Sequence, residues 1–256
     1  MKTNLVLTMG GKGGEGKTSA LVAITDFLQS KAYKLVLVDC DTENAAQPTC
    51  FNHWVGGKAV TLNLRHPLDR DRLLSDSASS GAQFVLADLP GNSTGDLSQW
   101  LQDVATLDII QELGLNVIAV GAVTPATGSA SSVAKWIATL GDRATYLVVL
   151  NRKDHEAAPK PLQEAFADWF DFAVPKLVPS VVPQNKLYSV ELPNMEFHAM
   201  EALRKLGKLP AKALKDPQVH VLIKKRIRTW RERIFPQLEA TGLFVPDNAD
   251  SLVPAK

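Results

Sequence analysis

The sequence predicts an α/β fold: a mostly parallel, twisted sheet with helices on both faces. Three observations predict it. Apolar runs without polar alternation recur along the chain, among them Leu5-Val6-Leu7, Leu35-Val36-Leu37-Val38 and Phe84-Val85-Leu86-Ala87, as expected of strands covered on both sides. Segments with helical spacing lie between them, the first being Ala20, Leu21, Ile24, Phe27 and Leu28. The first strand also leads directly into a glycine-rich loop that opens this helix.

Composition sets the bounds. A chain of 256 residues suits one domain with a sizeable core, here expected over residues 1–240, with a nucleotide core over about 1–190 and an irregular tail from 241 to 256. Hydrophobic residues make up 45% and charged residues 21%, which is ordinary for a globular protein. No apolar run approaches the roughly 20 residues needed to span a bilayer, and the N-terminus reads as a strand entering the loop, not as a removable leader. Cys40 and Cys50 are too few for a disulfide framework or a self-contained metal cluster. The expected setting is the cytoplasm.

Taken in order, the first element pair carries the chemistry. Gly11, Lys12, Gly13, Gly14, Glu15, Gly16, Lys17 and Thr18 fit the phosphate-loop pattern G-x-x-x-x-G-K-[ST], and Ser19 continues into the helix. Glycines let successive N–H groups face a phosphate, and the helix N-terminus adds its positive end. Lys17 is expected to meet the terminal phosphates of the nucleotide, and the Thr18 hydroxyl to sit on Mg²⁺. The second lysine, Lys12, makes this loop resemble the deviant Walker A loop of the ParA/MinD family of P-loop ATPases. The resemblance implies that Lys12 crosses a dimer interface to the partner's nucleotide, and that the ligand is ATP with Mg²⁺.

The strand Lys34–Asp39 ends in Asp39-Cys40-Asp41-Thr42-Glu43-Asn44, and carboxylates at such a tip point into the crevice of a doubly wound sheet. By the resemblance this is the first switch, and Asp41 helps position the attacking water near the metal. The family commonly continues D-P-Q-G-N, and this chain departs from that after Asp41. A short helix is expected from Asp69 to Ser80, stopped near Gly81. Phe84–Asp88 matches a Walker B strand, with Asp88 on the Mg²⁺ side. The Asp88-Leu89-Pro90-Gly91 that follows resembles the second switch, where the Gly91 backbone approaches the γ-phosphate. A helix is then expected from about Asp96 to Leu107.

Val117–Val120 predicts a buried strand, Pro125–Leu140 a helix, and Tyr146–Leu150 a strand ending at Asn151 and Arg152. Asn151 resembles the family's base-contacting residue. Asn151 to Asp154 also fits N-[KR]-x-D, the guanine motif of small GTPases, so GTP stays open beside ATP. The last strand is expected within Phe172–Val182, broken by prolines. The family packs an I-P segment on the base after its last strand, and Pro179 or Pro183 is the expected equivalent.

The C-terminal quarter is basic. Arg204–Arg233 holds eleven Lys/Arg against Asp216 and Glu232, a local charge of +9 that leaves −8 for the rest of a chain whose total is +1. Val219, Leu222, Ile223, Ile227, Trp230 and Ile234 follow helical spacing, with Lys224, Lys225, Arg228 and Arg231 off that stripe, and Pro236 is expected to end the helix. Such a helix docks by its stripe and offers its charges to DNA phosphates or to anionic lipid. Residues following Pro236 weaken the membrane case, since MinD-like proteins carry their membrane helix at the extreme C-terminus.

Nitrogenase-reductase-like members and arsenite-pump ATPases need cysteines after the second switch, and none follows Cys50. A small ParA-like ATPase remains, of plasmid-partition or conjugal-transfer type. The resemblance implies a slow ATPase, homodimeric when ATP-bound, with non-specific DNA and a stimulating protein as partners. The alternatives are a MinD-type membrane-surface positioning ATPase and a small-molecule phosphotransfer enzyme.

Overall fold

A computed structural model of the chain describes residues 2–10, 13–44, 47–91, 97, 99–101, 104–152, 160–178 and 182–245. Seven strands form one parallel sheet: β1 (Thr3–Met9), β2 (Leu35–Asp39), β3 (Val60–Thr61), β4 (Phe84–Asp88), β5 (Leu115–Val123), β6 (Thr145–Asn151) and β7 (Leu187–Leu192). Their order is β3-β2-β4-β1-β5-β6-β7. On one side of β1 the chain forms β2 and β3 and returns through β4, which lies between β1 and β2; β5, β6 and β7 then extend the other side. Parallel pairing places every strand's C-terminal end on one edge, and the register sets Asp39 beside Asp88 and Asn151 beside Leu192. That edge is where doubly wound sheets bind ligands.

The main helices are α1 (Lys17–Ser30), α2 (Pro67–Ser79), α3 (Val104–Glu112), α4 (Ser129–Leu140), α5 (Phe197–Leu206), α6 (Pro210–Lys215) and α7 (Val221–Ala240). They cover both faces because successive strand residues point to opposite sides. Leu5 and Leu7 join one apolar cluster with Leu73, Ile110 and Ile137 from α2, α3 and α4. Val6 joins the other with Leu21 and Ile24 of α1, Leu203 of α5 and Ile227 of α7.

Two expectations for the C-terminal part are corrected. Phe172–Val182 contains no strand among its described residues: Asp168–Ala173 is a π-helical turn and Val174–Leu177 a helical one. Phe166, Trp169 and Ala173 are buried at helical spacing, and this stretch packs on α4. The last strand is instead β7, an edge strand with Ser189 exposed and Glu191 half-buried, whose mixed composition hides it from an apolar-run criterion. Helix α7 also runs through Pro236 to Ala240. Proline removes one backbone donor, but Pro236 and Glu232 four residues earlier are both exposed, so water can take the freed carbonyl. The buried stripe Ile227, Trp230, Ile234 and Leu238 holds the helix on the core across that point. Past α7, Thr241–Val245 has no regular element, yet Phe244 is buried edge-on to Phe27, with ring centroids 6.1 Å apart.

Candidate nucleotide site

The loop after β1 is drawn tight by its glycines. Gly11 and Lys12 lie outside the described residues, so the proposed interface lysine has no described position. Gly16 caps α1 with φ +96, a left-handed conformation that disfavours any side chain. Its α-hydrogen also faces Asn151: a Cβ there would come within 2.1 Å of Asn151 Nδ2. That amide donates to the Glu15 carbonyl at 2.9 Å, so the tip of β6 is fastened to the loop. Lys17, buried, opens α1.

Asp88, at the tip of β4, is completely buried and shares its two oxygens between two threonines. Thr8 Oγ1 donates to Oδ1 at 3.0 Å, and Thr18 Oγ1 donates to Oδ2 at 2.6 Å. Thr8 Oγ1 in turn accepts from Leu89 N at 2.7 Å, which fixes the turn toward Gly91. Burial pushes the Asp88 carboxyl up to about 7, against the Thr18 hydrogen bond that favours its charged form. Burial lowers Lys17 as well, while Asp88, Glu15 and Asp41 oppose that shift. Gly91 closes over the loop: a Cβ on it would lie 3.3 Å from Gly13 Cα and 3.4 Å from Lys17 Nζ. Among the expected residues, then, Lys17, Thr18, Asp88 and Gly91 are brought together. A hydroxyl and a buried carboxylate converging at 2.6 Å form a hard oxygen-donor pair of the kind Mg²⁺ takes.

The two aspartates after β2 divide their work. Asp39 is structural: its Oδ1 accepts from Asp41 N at 3.1 Å and its Oδ2 from Asn52 N at 2.7 Å, pinning both ends of the intervening segment. Burial raises its carboxyl above the ordinary range. Asp41 is half-buried, lines the cavity, and accepts from Asn44 Nδ2 at 2.9 Å.

A cavity of about 1160 Å³ runs from the loop past Ser19 and Val22 of α1 to the segment following β7. Asn151 lines it, but Arg152 does not: its guanidinium bonds Glu191 at 2.6 Å and the Lys160 carbonyl at 3.0 Å. Pro183 precedes β7 and introduces the turn Gln184–Lys186, away from the lining residues. Pro179 lies outside the described residues. The proline that follows the last strand and lines the cavity is Pro193. An expected last strand within Phe172–Val182 leaves Pro193 without a role in the sequence. The available signal was Val190-Glu191-Leu192 ahead of Pro193.

Of the four basic residues expected on the outside of α7, Lys225 and Arg228 are exposed and Lys224 is half-buried. Arg231 is the correction. Its Nε donates to the fully buried Asp26 of α1 at 2.8 Å, and its guanidinium lies 4.5 Å from the Phe235 ring. Helical spacing put Arg231 off the stripe, but a buried carboxylate on the neighbouring helix draws it inward.

The model of the CobQ/CobB/MinD/ParA nucleotide-binding domain matches residues 6–194. The fold is similar to MinD of Aquifex aeolicus in its complex with MinC, at a TM-score of 0.52 and 16% identity over 89% of this chain and 95% of that one. It is likewise similar to A. aeolicus MinD alone, at 0.51 and 17% identity over 89% and 96%. A nucleotide-binding protein from Archaeoglobus fulgidus in complex with ADP matches at 0.49 and 17% identity over 79% and 86%. At these identities the likeness is one of fold. No curated protein matches the sequence itself.

Proposed function

The chain belongs to the CobQ/CobB/MinD/ParA nucleotide-binding domain family, and from that premise we propose that it is an ATP-dependent dimerising switch, hydrolysing ATP slowly and positioning DNA or a DNA-bound partner. The observation that carries the ATPase half is the Thr18–Asp88 contact of 2.6 Å, with Gly91 folded over Gly13 and Lys17. Mg²⁺ held by Thr18 and Asp88 would neutralise phosphate charge. The chain's own residues do the rest: loop amides and Lys17 bind the phosphates, the Gly91 backbone senses the terminal one, and Asp41 orients water for attack on it, giving ADP and phosphate. Pro193 and Asn151 flank the base.

Lys12 supports the dimer half. Two facing nucleotides bring strong negative charge together, and a lysine from each side offsets it. Light scattering should find a dimer with ATP and largely a monomer with ADP. Lys12→Ala should retain ATP binding through Lys17 but lose both dimerisation and hydrolysis. A variant that dimerises and turns over normally contradicts the assignment, and the protein is then a monomeric nucleotide-binding enzyme.

DNA is the favoured surface because Lys225 and Arg228 are exposed on a segment, Arg204–Arg233, whose net charge is +9 in a chain whose total is +1. Binding to duplex DNA should fall steeply with salt and be independent of sequence. Lys224→Glu with Arg228→Glu should weaken it for all duplexes alike. The membrane reading has its own support: Val221 and Leu222, at the start of the same helix, are 65% and 59% exposed. Sedimentation with anionic liposomes and no retention on DNA would decide for that reading. No helix among the described residues is long and apolar enough to cross a membrane.

A further inference from the structure

Asp26 sits on α1 beyond Ser19 and Val22, both of which line the cavity. Its carboxylate is fully buried and holds two other elements at once. Oδ1 accepts from Ala211 N at 2.8 Å, and Oδ2 accepts from Arg231 Nε at 2.8 Å. Ala211 is the second residue of α6, where backbone N–H groups have no intrahelical acceptor, so Asp26 caps that helix from across the core. Burial raises this carboxyl, and Arg231 opposes the shift. Ion pairs of this kind add little net stability, since desolvation offsets most of the attraction. What the pair does determine is where α6 and α7 sit against α1.

The position matters because the residues just before its two partners, Pro210 and Trp230, line the cavity. Trp230 also donates its Nε1 to the Pro193 carbonyl at 2.9 Å. A continuous chain of contacts therefore runs from the middle of α1, through Arg231 and Trp230, to the first residue beyond β7. We infer that Asp26 is a positioning residue that acts through Arg231 and Trp230 on Pro193, holding the wall that the C-terminal helices give the nucleotide cavity. This deepens the ATP reading above and rests on it. It also gives α7 two separable jobs: Arg231 and Trp230 serve the cavity on the inner face, while Lys225 and Arg228 face outward.

The test is calorimetric titration of the full chain with Mg·ADP and Mg·ATP, alongside steady-state turnover and thermal melts. Asp26→Asn keeps the side chain's shape and an acceptor for Ala211 but removes the charge that holds Arg231. It should bind both nucleotides about tenfold more weakly, with turnover at saturating ATP within about twofold of wild type. Trp230→Phe keeps a ring in the wall but loses the bond to Pro193, and should weaken binding roughly three- to tenfold. Arg231→Lys, which keeps a charge opposite Asp26, should recover most of the affinity lost in Arg231→Gln. Lys135→Glu, at an exposed position of α4, should leave nucleotide affinity unchanged. A cooperatively melting Asp26→Asn or Trp230→Phe protein with wild-type affinity overturns the inference. So does a loss confined to saturated turnover, which would place the residue in the chemistry. Should Asp26→Asn fail to fold, Trp230→Phe decides alone. A wild-type chain that binds no nucleotide sinks the ATP reading itself and takes this inference with it.

Discussion

Replacing Lys17 by alanine should leave a folded protein whose affinity for ATP and ADP drops about a hundredfold or more, since charge-assisted hydrogen bonds contribute about 1.5–3 kcal/mol each and Lys17 offers several. The fold should survive because the Lys17 ammonium is buried at a desolvation cost. Its burial lowers its own pKa, so the ammonium is held there at a cost that nearby Asp88, Glu15 and Asp41 only oppose. Asp88 keeps its bonds to Thr8 and Thr18 without it. Calorimetric titration checks affinity and a thermal melt checks the fold. Wild-type affinity and turnover in Lys17→Ala would overturn the phosphate-loop assignment altogether.

Asp41→Ala should separate binding from chemistry. The variant is expected to bind ATP and dimerise like the wild type, while turnover falls roughly 10²- to 10⁴-fold, the usual worth of a group acting on the proton or water in the transition state. Local geometry makes this a clean substitution. The anchor of the segment is Asp39, which holds Asp41 N and Asn52 N. Among the described residues, the Asp41 side chain accepts from the neighbouring Asn44. Asp39→Ala is the contrasting control: it frees two backbone donors and should destabilise the protein. Normal hydrolysis by Asp41→Ala means that Asp41 is structural and that the switch has been misplaced.

Much of the site is legible in the residues because its signals are local. A glycine at a left-handed position next to Lys17, or an aspartate at the end of an apolar run, keeps its meaning wherever the strand packs. Phe84–Asp88 was expected as a strand and is one, and its register beside β2 follows from parallel pairing. Asn151 is expected against the base; it lines the cavity, and its amide also fastens β6 to the loop beside Gly16. Within the helix expected from Asp96 to Leu107, residues 97 and 99–101 are helical, and α3 runs from Val104 past Leu107 to Glu112. Pro125 is the expected start of α4, which begins at Ser129, where the Ser129 hydroxyl accepts from Thr124 N and closes the turn.

What the sequence alone determined is the nucleotide-binding family and its parallel sheet: the glycine-rich loop and the aspartates at the tips of β2 and β4 are written in contiguous residues with a fixed spacing. Only the tertiary structure decided the far wall of the cavity. Which proline follows the last strand depended on finding β7, whose polar edge positions mask it. Which arginine of α7 turns inward depended on Asp26, 205 residues away. Periodicity assigns a residue to a face of its helix, but a buried carboxylate on another helix can reclaim a charged side chain from that face. Pairing it there costs less than leaving the carboxylate alone.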